Sequence, residues 1–329
     1  MIEKYLVTIG ITTHNSNLVY LSKAIDSAIK QTYRNIEIII SDDGSNNIDE
    51  IEKLIKNKKD KRITLLKSEK NIGVSNSLNN IISFSKGDYF SWCPDDDYMH
   101  LSKIELQLGS LESEPQSISI CNHFQVLDTF NIKRLIKHAF FLKYINIFLY
   151  LVTLNRINGG SLLIPARILK DRKFNLSLKH IQDYDMWLKL FLISKQVYLN
   201  KSLFYSRQHS KQASVNDNKS AREEISKYYL DFFKNNMHNL IYYFGKKTYL
   251  LIIMSFKLRN INIVAETFAK EKNYQKYLLN VFNKKKTILC LIHFFKILGT
   301  ILYLIKKVKN FIYYKFLIKL SGHYQFWSK

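Results

Sequence analysis

The sequence predicts an α/β fold, a mostly parallel central sheet flanked by helices, followed by a basic helical C-terminal region. Over the first hundred residues, short β-rich runs alternate with longer helical patterns, the signature of βαβ units. Three of those runs end in small polar or acidic groups: Thr12-Thr13-His14-Asn15, Asp42-Asp43-Gly44-Ser45 and Asp95-Asp96-Asp97. With only 10 Gly and 3 Pro in 329 residues, most of the chain has to be packed helix and strand. That length allows about two domains.

Taken in order, Tyr5 to Thr12 reads as a strand, Leu18 to Lys30 as a helix, and Ile36 to Ser41 as a second, buried strand stopped by Asp42-Asp43-Gly44. Ile48 to Asn57 is then helical, Ile63 to Lys67 a strand, Val74 to Ser85 a helix and Tyr89 to Cys93 a strand. Helix Leu101 to Leu111 and strand Ser117 to Cys121 follow, then a basic, aromatic stretch from Lys133 to Leu154. Lys137, His138, Lys143 and Asn146 within that stretch argue against a membrane-spanning helix. Asn158-Gly159-Gly160-Ser161 precedes the strand Leu162 to Ile164; a helix is expected over Gln182 to Ser194, with short strands at Gln196 to Leu199 and Leu203 to Tyr205. The domains are expected to divide as 1–216 and 217–329.

Fifty Lys and Arg against 27 acids give a net charge of +23, which suits phosphate-rich partners or an anionic membrane surface. Residues 246–329 carry +15 of it. Nucleic acid is a poor fit, because no helix-turn-helix, RNP-like strand or zinc spacing is present. Cys93, Cys121 and Cys290 lack C-x-x-C spacing, which favours a reducing compartment, and Met1-Ile2-Glu3-Lys4 leads straight into a strand with no secretory signal pattern.

In open sheets ligands bind beyond the carboxyl ends of the strands, so the three polar strand ends are the candidate site. Asp95-Asp96-Asp97 repel one another unless a cation sits among them, and a divalent ion bridging phosphate oxygens would supply that charge. A solvated acidic turn, with Asp97 capping the next helix, is the plainer alternative. Asp42-Asp43-Gly44-Ser45 can accept a hydrogen bond from a nucleobase, or can be an ordinary Asp-Gly turn. Gln31-Thr32-Tyr33, Asn71-Ile72-Gly73-Val74-Ser75 and Gly87-Asp88-Tyr89 interleave with these motifs in one order at βαβ spacings.

As an ordered set, these motifs resemble the family 2 inverting nucleotide-sugar glycosyltransferases of GT-A fold, over about residues 5 to 214. Ile181-Gln182-Asp183-Tyr184-Asp185-Met186-Trp187-Leu188 is similar to the family's Glu-Asp catalytic segment, and Tyr205-Ser206-Arg207-Gln208-His209 to its Tyr-Arg-x-His segment. The resemblance implies that Thr12, His14, Asn15, Asp42 and Asp43 bind the nucleotide sugar, with Asp95 meeting the ribose or sugar. It implies that Asp96 and Asp97, with His209, hold a divalent metal, Mn²⁺ or Mg²⁺, that Arg207 pairs with the diphosphate, and that Asp183 is the base. The chain departs from the pattern at His14 in place of Tyr, Pro94 in place of an acid, Leu78 in place of Arg and Gln182 in place of Glu. Losing a like charge at Gln182 lowers the upward pressure on the pKa of Asp183. Asp185 is the competing base candidate.

The expected reaction is direct displacement at the anomeric carbon, with transfer of one sugar to a hydroxyl of a glycan or lipid-linked acceptor in surface polysaccharide synthesis. A membrane-docked nucleotide-binding scaffold without turnover is the alternative, kept open by Leu78 and Pro94. From Thr287 to Asn310, His293, Lys296, Thr300, Tyr303, Lys307 and Asn310 leave one polar stripe on an apolar helix. With Lys284-Lys285-Lys286 and Lys306-Lys307, that helix suits the interface of an anionic membrane, at the inner face of the cytoplasmic membrane, or a contact in a homo-oligomer or helical bundle.

Overall fold

The computed structural model describes residues 4–127, 132–136 and 157–209, together with Glu224 and Tyr228. The expected membrane-interface helix, and most of the stretch from Lys133 to Leu154, lie outside them. The chain divides into two compact units, 1–225 and 226–329.

Strand β1 (Val7–Thr13), helix α1 (Leu18–Ile29), β2 (Ile36–Asp42), α2 (Ile48–Lys58), β3 (Ile63–Lys67), α3 (Val74–Phe84) and β4 (Tyr89–Trp92) follow the expected alternation within a residue or two. After them come β5 (Tyr98–Met99), α4 (Lys103–Ser110), β6 (Ile118–Leu127), β7 (Ile132–Ile136), β8 (Leu162–Pro165), α5 (Ala166–Lys170), α6 (Gln182–Ile193) and β9 (Gln196–Gln208). They build one sheet in the order β3-β2-β1-β4-β8-β6-β9-β5, with β7 beside β6. The half β3-β2-β1-β4 is parallel, and β8 joins it antiparallel to β4. Beyond β8 the sheet is mixed: β6 runs parallel to β9 and antiparallel to β8.

The core is built on β1 and β2. Val7, Ile9 and Ile11 on β1 and Ile38 and Ile40 on β2 are fully buried, and Leu21, Ala24, Ile25 and Ala28 of α1 belong to the same apolar cluster. Burying each of the larger side chains contributes on the order of 1.5–3 kcal/mol. Asn17 caps α1 by accepting the Val19 N–H at 2.9 Å.

Two differences from the sequence expectation bear on the site. The two short strands expected at 196–199 and 203–205 are one strand, β9. Its polar pair Asn200-Lys201 is a bulge: Leu199 pairs with Cys121 and Ser202 with Asn122, so both residues are exposed without ending the ladder. The two-residue strand β5, which no periodicity could reveal, pairs Tyr98 with Tyr205 and ties the acidic triplet's loop to β9.

Candidate active site

The ends of β1 and β2 are braced into one surface. Asp43 N–H donates to Thr13 O at 2.9 Å. Because the Asp43 carbonyl can only accept, His14 Nδ1 carries the proton that it donates there at 2.8 Å. His14 Nε2 then accepts from Asn15 Nδ2 at 2.9 Å, while Asn15 Oδ1 accepts Asn46 N–H at 2.8 Å. Asn15 takes a left-handed backbone, φ +49°, and its N–H donates to Ser45 Oγ at 2.8 Å. The edges of the His14 ring are held in this way, yet the residue stays exposed.

Asp42 and Asp43 divide their work. Asp42 is buried and accepts Ser45 N–H at 3.0 Å, so it shapes the turn from within. Asp43 accepts Ile72 N–H at 2.7 Å and Gly73 N–H at 2.9 Å, fastening the turn to the start of α3. Gly44 is required directly after them: its φ is +68°, and a Cβ there would lie 2.4 Å from the Lys70 carbonyl carbon. Thr12 is nearly buried and accepts Trp92 Nε1–H at 3.2 Å.

The acidic triplet follows β4, and its three carboxylates face different partners. Ser16 Oγ donates to Asp95 Oδ2. Burial, then the charge of Asp96, push the Asp95 pKa up to about 6, against the hydrogen bond from Ser16. Asp96 Oδ2 lies 3.1 Å from His209 Nε2, both side chains about a fifth exposed. Asp97, expected among the metal ligands, is turned inward, where its Oδ1 accepts Arg207 N–H at 2.7 Å. Burial and the neighbouring charge of Asp96 raise its pKa well above the usual carboxylate range.

Arg207, expected to pair with diphosphate, lies beneath the triplet with little exposure. Its Nε donates to the Asp96 carbonyl at 2.8 Å, and its guanidinium sits 4.2 Å over the Tyr20 ring. Asp97 and Arg207 are thus tied to each other and to the Asp96 backbone.

Asp183 stands in the first turn of α6, half-buried, and its Oδ1 accepts the Tyr184 N–H at 2.7 Å. Desolvation raises its pKa to about 6 against that hydrogen bond. Asp185 is sealed in the protein and bridged by Lys189 Nζ at 2.7 Å, which leaves Asp183 as the helix's available carboxylate. Gly159 connects the two regions, since a Cβ there would lie 2.6 Å from Trp92 Cε3 on β4 and 3.0 Å from Trp187 Cζ2 on α6.

Sequence reasoning missed Ser16, Ser45 and Trp92, whose polar groups hold the expected residues in place. Ser45 sits inside a motif already singled out and Ser16 directly follows one, but only the fold shows which atoms they meet.

Residues 8–172 match the model of Glycosyl transferase family 2. An uncharacterized glycosyltransferase of Rickettsia bellii is 30% identical over 291 residues, covering 83% of this chain and 40% of that protein. The chain likewise spans 35% of a 36% identical uncharacterized glycosyltransferase of Rickettsia conorii. The Escherichia coli UDP-Glc:alpha-D-GlcNAc-diphosphoundecaprenol beta-1,3-glucosyltransferase WfaP is 32% identical over 222 residues, covering 64% of this chain and 80% of that protein. The S. aureus TarS 1–349 structure in complex with UDP-GlcNAc shares the fold, with a TM-score of 0.58 at 14% identity, over 82% of this chain and 89% of that one. Strand-end motifs, GT-A architecture and family match agree, and the chain belongs to glycosyl transferase family 2.

Proposed function

We propose that this glycosyltransferase moves one sugar, with inversion, from a nucleoside-diphosphate sugar to a hydroxyl of a glycan or lipid-linked acceptor in lipopolysaccharide or capsule synthesis. The observation that carries this reading is the pairing of Asp96 with His209 beyond the end of β4, beside the buttressed Asp95. The acceptor class named for the E. coli relative and the UDP-GlcNAc of the S. aureus structure support a lipid-linked acceptor and a UDP-sugar donor.

Among the described residues, no three His, Cys, Asp or Glu side chains converge to hold a metal ion by themselves. One carboxylate from Asp96 and one imidazole from His209 fit a divalent ion, Mn²⁺ or Mg²⁺, that takes its other ligands from diphosphate oxygens. When bound, such an ion supplies positive charge against the charge growing on the leaving diphosphate.

The remaining work falls to the chain. His14 offers an exposed ring to stack on the base, beside Thr12, Asn15 and the Asp42-Asp43 turn, and Asp95 accepts from the ribose or sugar. Asp183 takes the proton of the acceptor hydroxyl, with a pKa of about 6 that keeps it ionised yet basic near neutral pH.

Among the described residues no helix is long and apolar enough to cross a membrane. Peripheral attachment to the inner face of the cytoplasmic membrane is part of the proposal, resting on the basic, apolar sequence from Lys284 to Asn310.

A nucleotide-binding scaffold without turnover is the second reading. Leu78, fully buried in α3 where the resemblance leads one to expect Arg, favours it by leaving the diphosphate one cation fewer. Incubating the purified chain with a panel of nucleotide sugars, a lipid-linked glycan acceptor and Mn²⁺, with binding and nucleotide release both scored, separates the two. Transfer yields a product of inverted anomeric configuration by NMR, whereas a scaffold binds a donor and releases nothing.

A further inference from the structure

Helix α6 carries Asp183 but has no side-chain cap of its own at Ile181. The turn just ahead of it is held by a residue some forty positions further on. Glu224 Oε2 accepts Lys179 N–H at 3.0 Å, and Glu224 Oε1 accepts His180 N–H at 2.9 Å and Ile181 N–H at 3.1 Å. One carboxylate thus gathers three consecutive backbone donors, a charge-assisted arrangement about twice as strong per bond as a neutral one.

The other end of the same loop is fixed by α3. Asn79 Oδ1 accepts Phe174 N–H at 2.8 Å, Asn79 Nδ2 donates to Phe174 O at 3.1 Å, and Ser75 Oγ donates to Asn175 O at 3.3 Å. Phe174 packs edge-on against Trp187 of α6, with ring centroids 6.0 Å apart. Next to α6, Glu224 holds the three amides that lead into the helix.

We propose that Glu224 is a positioning residue for Asp183: it supplies no reacting group, but it fixes the start of the helix that carries the base. The proposal rests on the reading of Asp183 as the base. A base has to meet the acceptor proton at hydrogen-bond distance, and a displacement of about 1 Å can cost on the order of a hundredfold in rate. Fixing three amides in succession, two residues ahead of the base, removes the freedom that would allow such a displacement.

The test compares the full-length chain with Glu224→Ala, Glu224→Gln and Asp183→Asn. Amide hydrogen exchange over residues 179–185 is read beside hydrolysis of UDP-glucose and UDP-GlcNAc in Mn²⁺, in which water is the acceptor that gives its proton to Asp183 and UDP is released. Glu224→Ala is expected to exchange faster in that segment and to lose roughly ten- to a hundredfold in kcat, with donor KM unchanged. Glu224→Gln keeps one acceptor oxygen for His180 and Ile181 and recovers part of kcat. Unchanged exchange in Glu224→Ala overturns the clamp, and faster exchange with unchanged kcat overturns the positioning role. If Asp183→Asn keeps full turnover, the base assignment itself falls and the positioning of that base falls with it, whatever the exchange shows. A general loss of folding would raise exchange throughout the protein and shift donor KM, which also contradicts the proposal.

Discussion

Asp96 Oδ2 and His209 Nε2 stand 3.1 Å apart although 113 positions separate them in sequence. The contact exists because β9 runs past the acidic triplet, anchored there by Arg207 N–H on Asp97 and by the β5 pairing of Tyr98 with Tyr205. Two residues that the resemblance assigns to one metal site therefore stand side by side.

Removing either partner should act on metal-dependent donor binding. Asp96→Ala is expected to abolish the Mn²⁺ dependence of UDP-sugar affinity. His209→Ala is expected to weaken donor affinity about tenfold, the scale of one hydrogen bond to a charged group. Isothermal titration with and without Mn²⁺ checks both, and equal donor affinity in wild type and Asp96→Ala at saturating Mn²⁺ would refute the assignment.

The elevated pKa of Asp183 sets a pH profile. A general base works deprotonated, so kcat is expected to fall about tenfold per unit as pH drops below about 6 and to level off above it. Asp95 titrates in the same range and can steepen that limb. Initial rates between pH 4.5 and 8 measure the profile.

The same shift has a consequence for stability. Between the ordinary carboxylate value of 3.8 and about 6, the folded state holds the Asp183 proton more tightly than the unfolded state does. Raising pH through that window therefore removes stability. Asp183→Asn escapes the loss and is expected to be more stable than wild type at pH 7 by roughly 1–2 kcal/mol, with no such gain at pH 4. Urea unfolding at the two pH values gives the comparison.

Gly44→Ala should damage both fold and donor site. The left-handed backbone and the 2.4 Å approach to Lys70 leave no room for a methyl group. We expect a loss of more than about 1 kcal/mol in urea unfolding, with a fall in UDP affinity as Asp43 moves off Ile72 and Gly73.

Much of the fold was legible because βαβ alternation is a local pattern: β1 through β4 lie within a residue or two of their expected bounds. The strand-end motifs were legible for the same reason. Contacts set by long-range packing were not. A two-residue strand such as β5 has no period, and the Asn200-Lys201 bulge looks like a turn until β6 is placed beside it. Asp97 and Arg207 carry charges that invite a ligand, and their burial is not visible in the sequence. At Asp183, replacement of a neighbouring acid by Gln182 predicts a lower pKa, but desolvation, which a sequence does not display, outweighs it.

The most direct measurement of the central claim is donor binding beside turnover in wild type and Asp183→Asn, with UDP-glucose, UDP-GlcNAc and further nucleotide sugars in Mn²⁺. The account predicts that at least one donor binds both proteins with similar affinity and that Asp183→Asn loses about 10²- to 10⁴-fold in turnover. A chain that binds no donor in any metal, or an Asp183→Asn variant that turns over as fast as wild type, would contradict it.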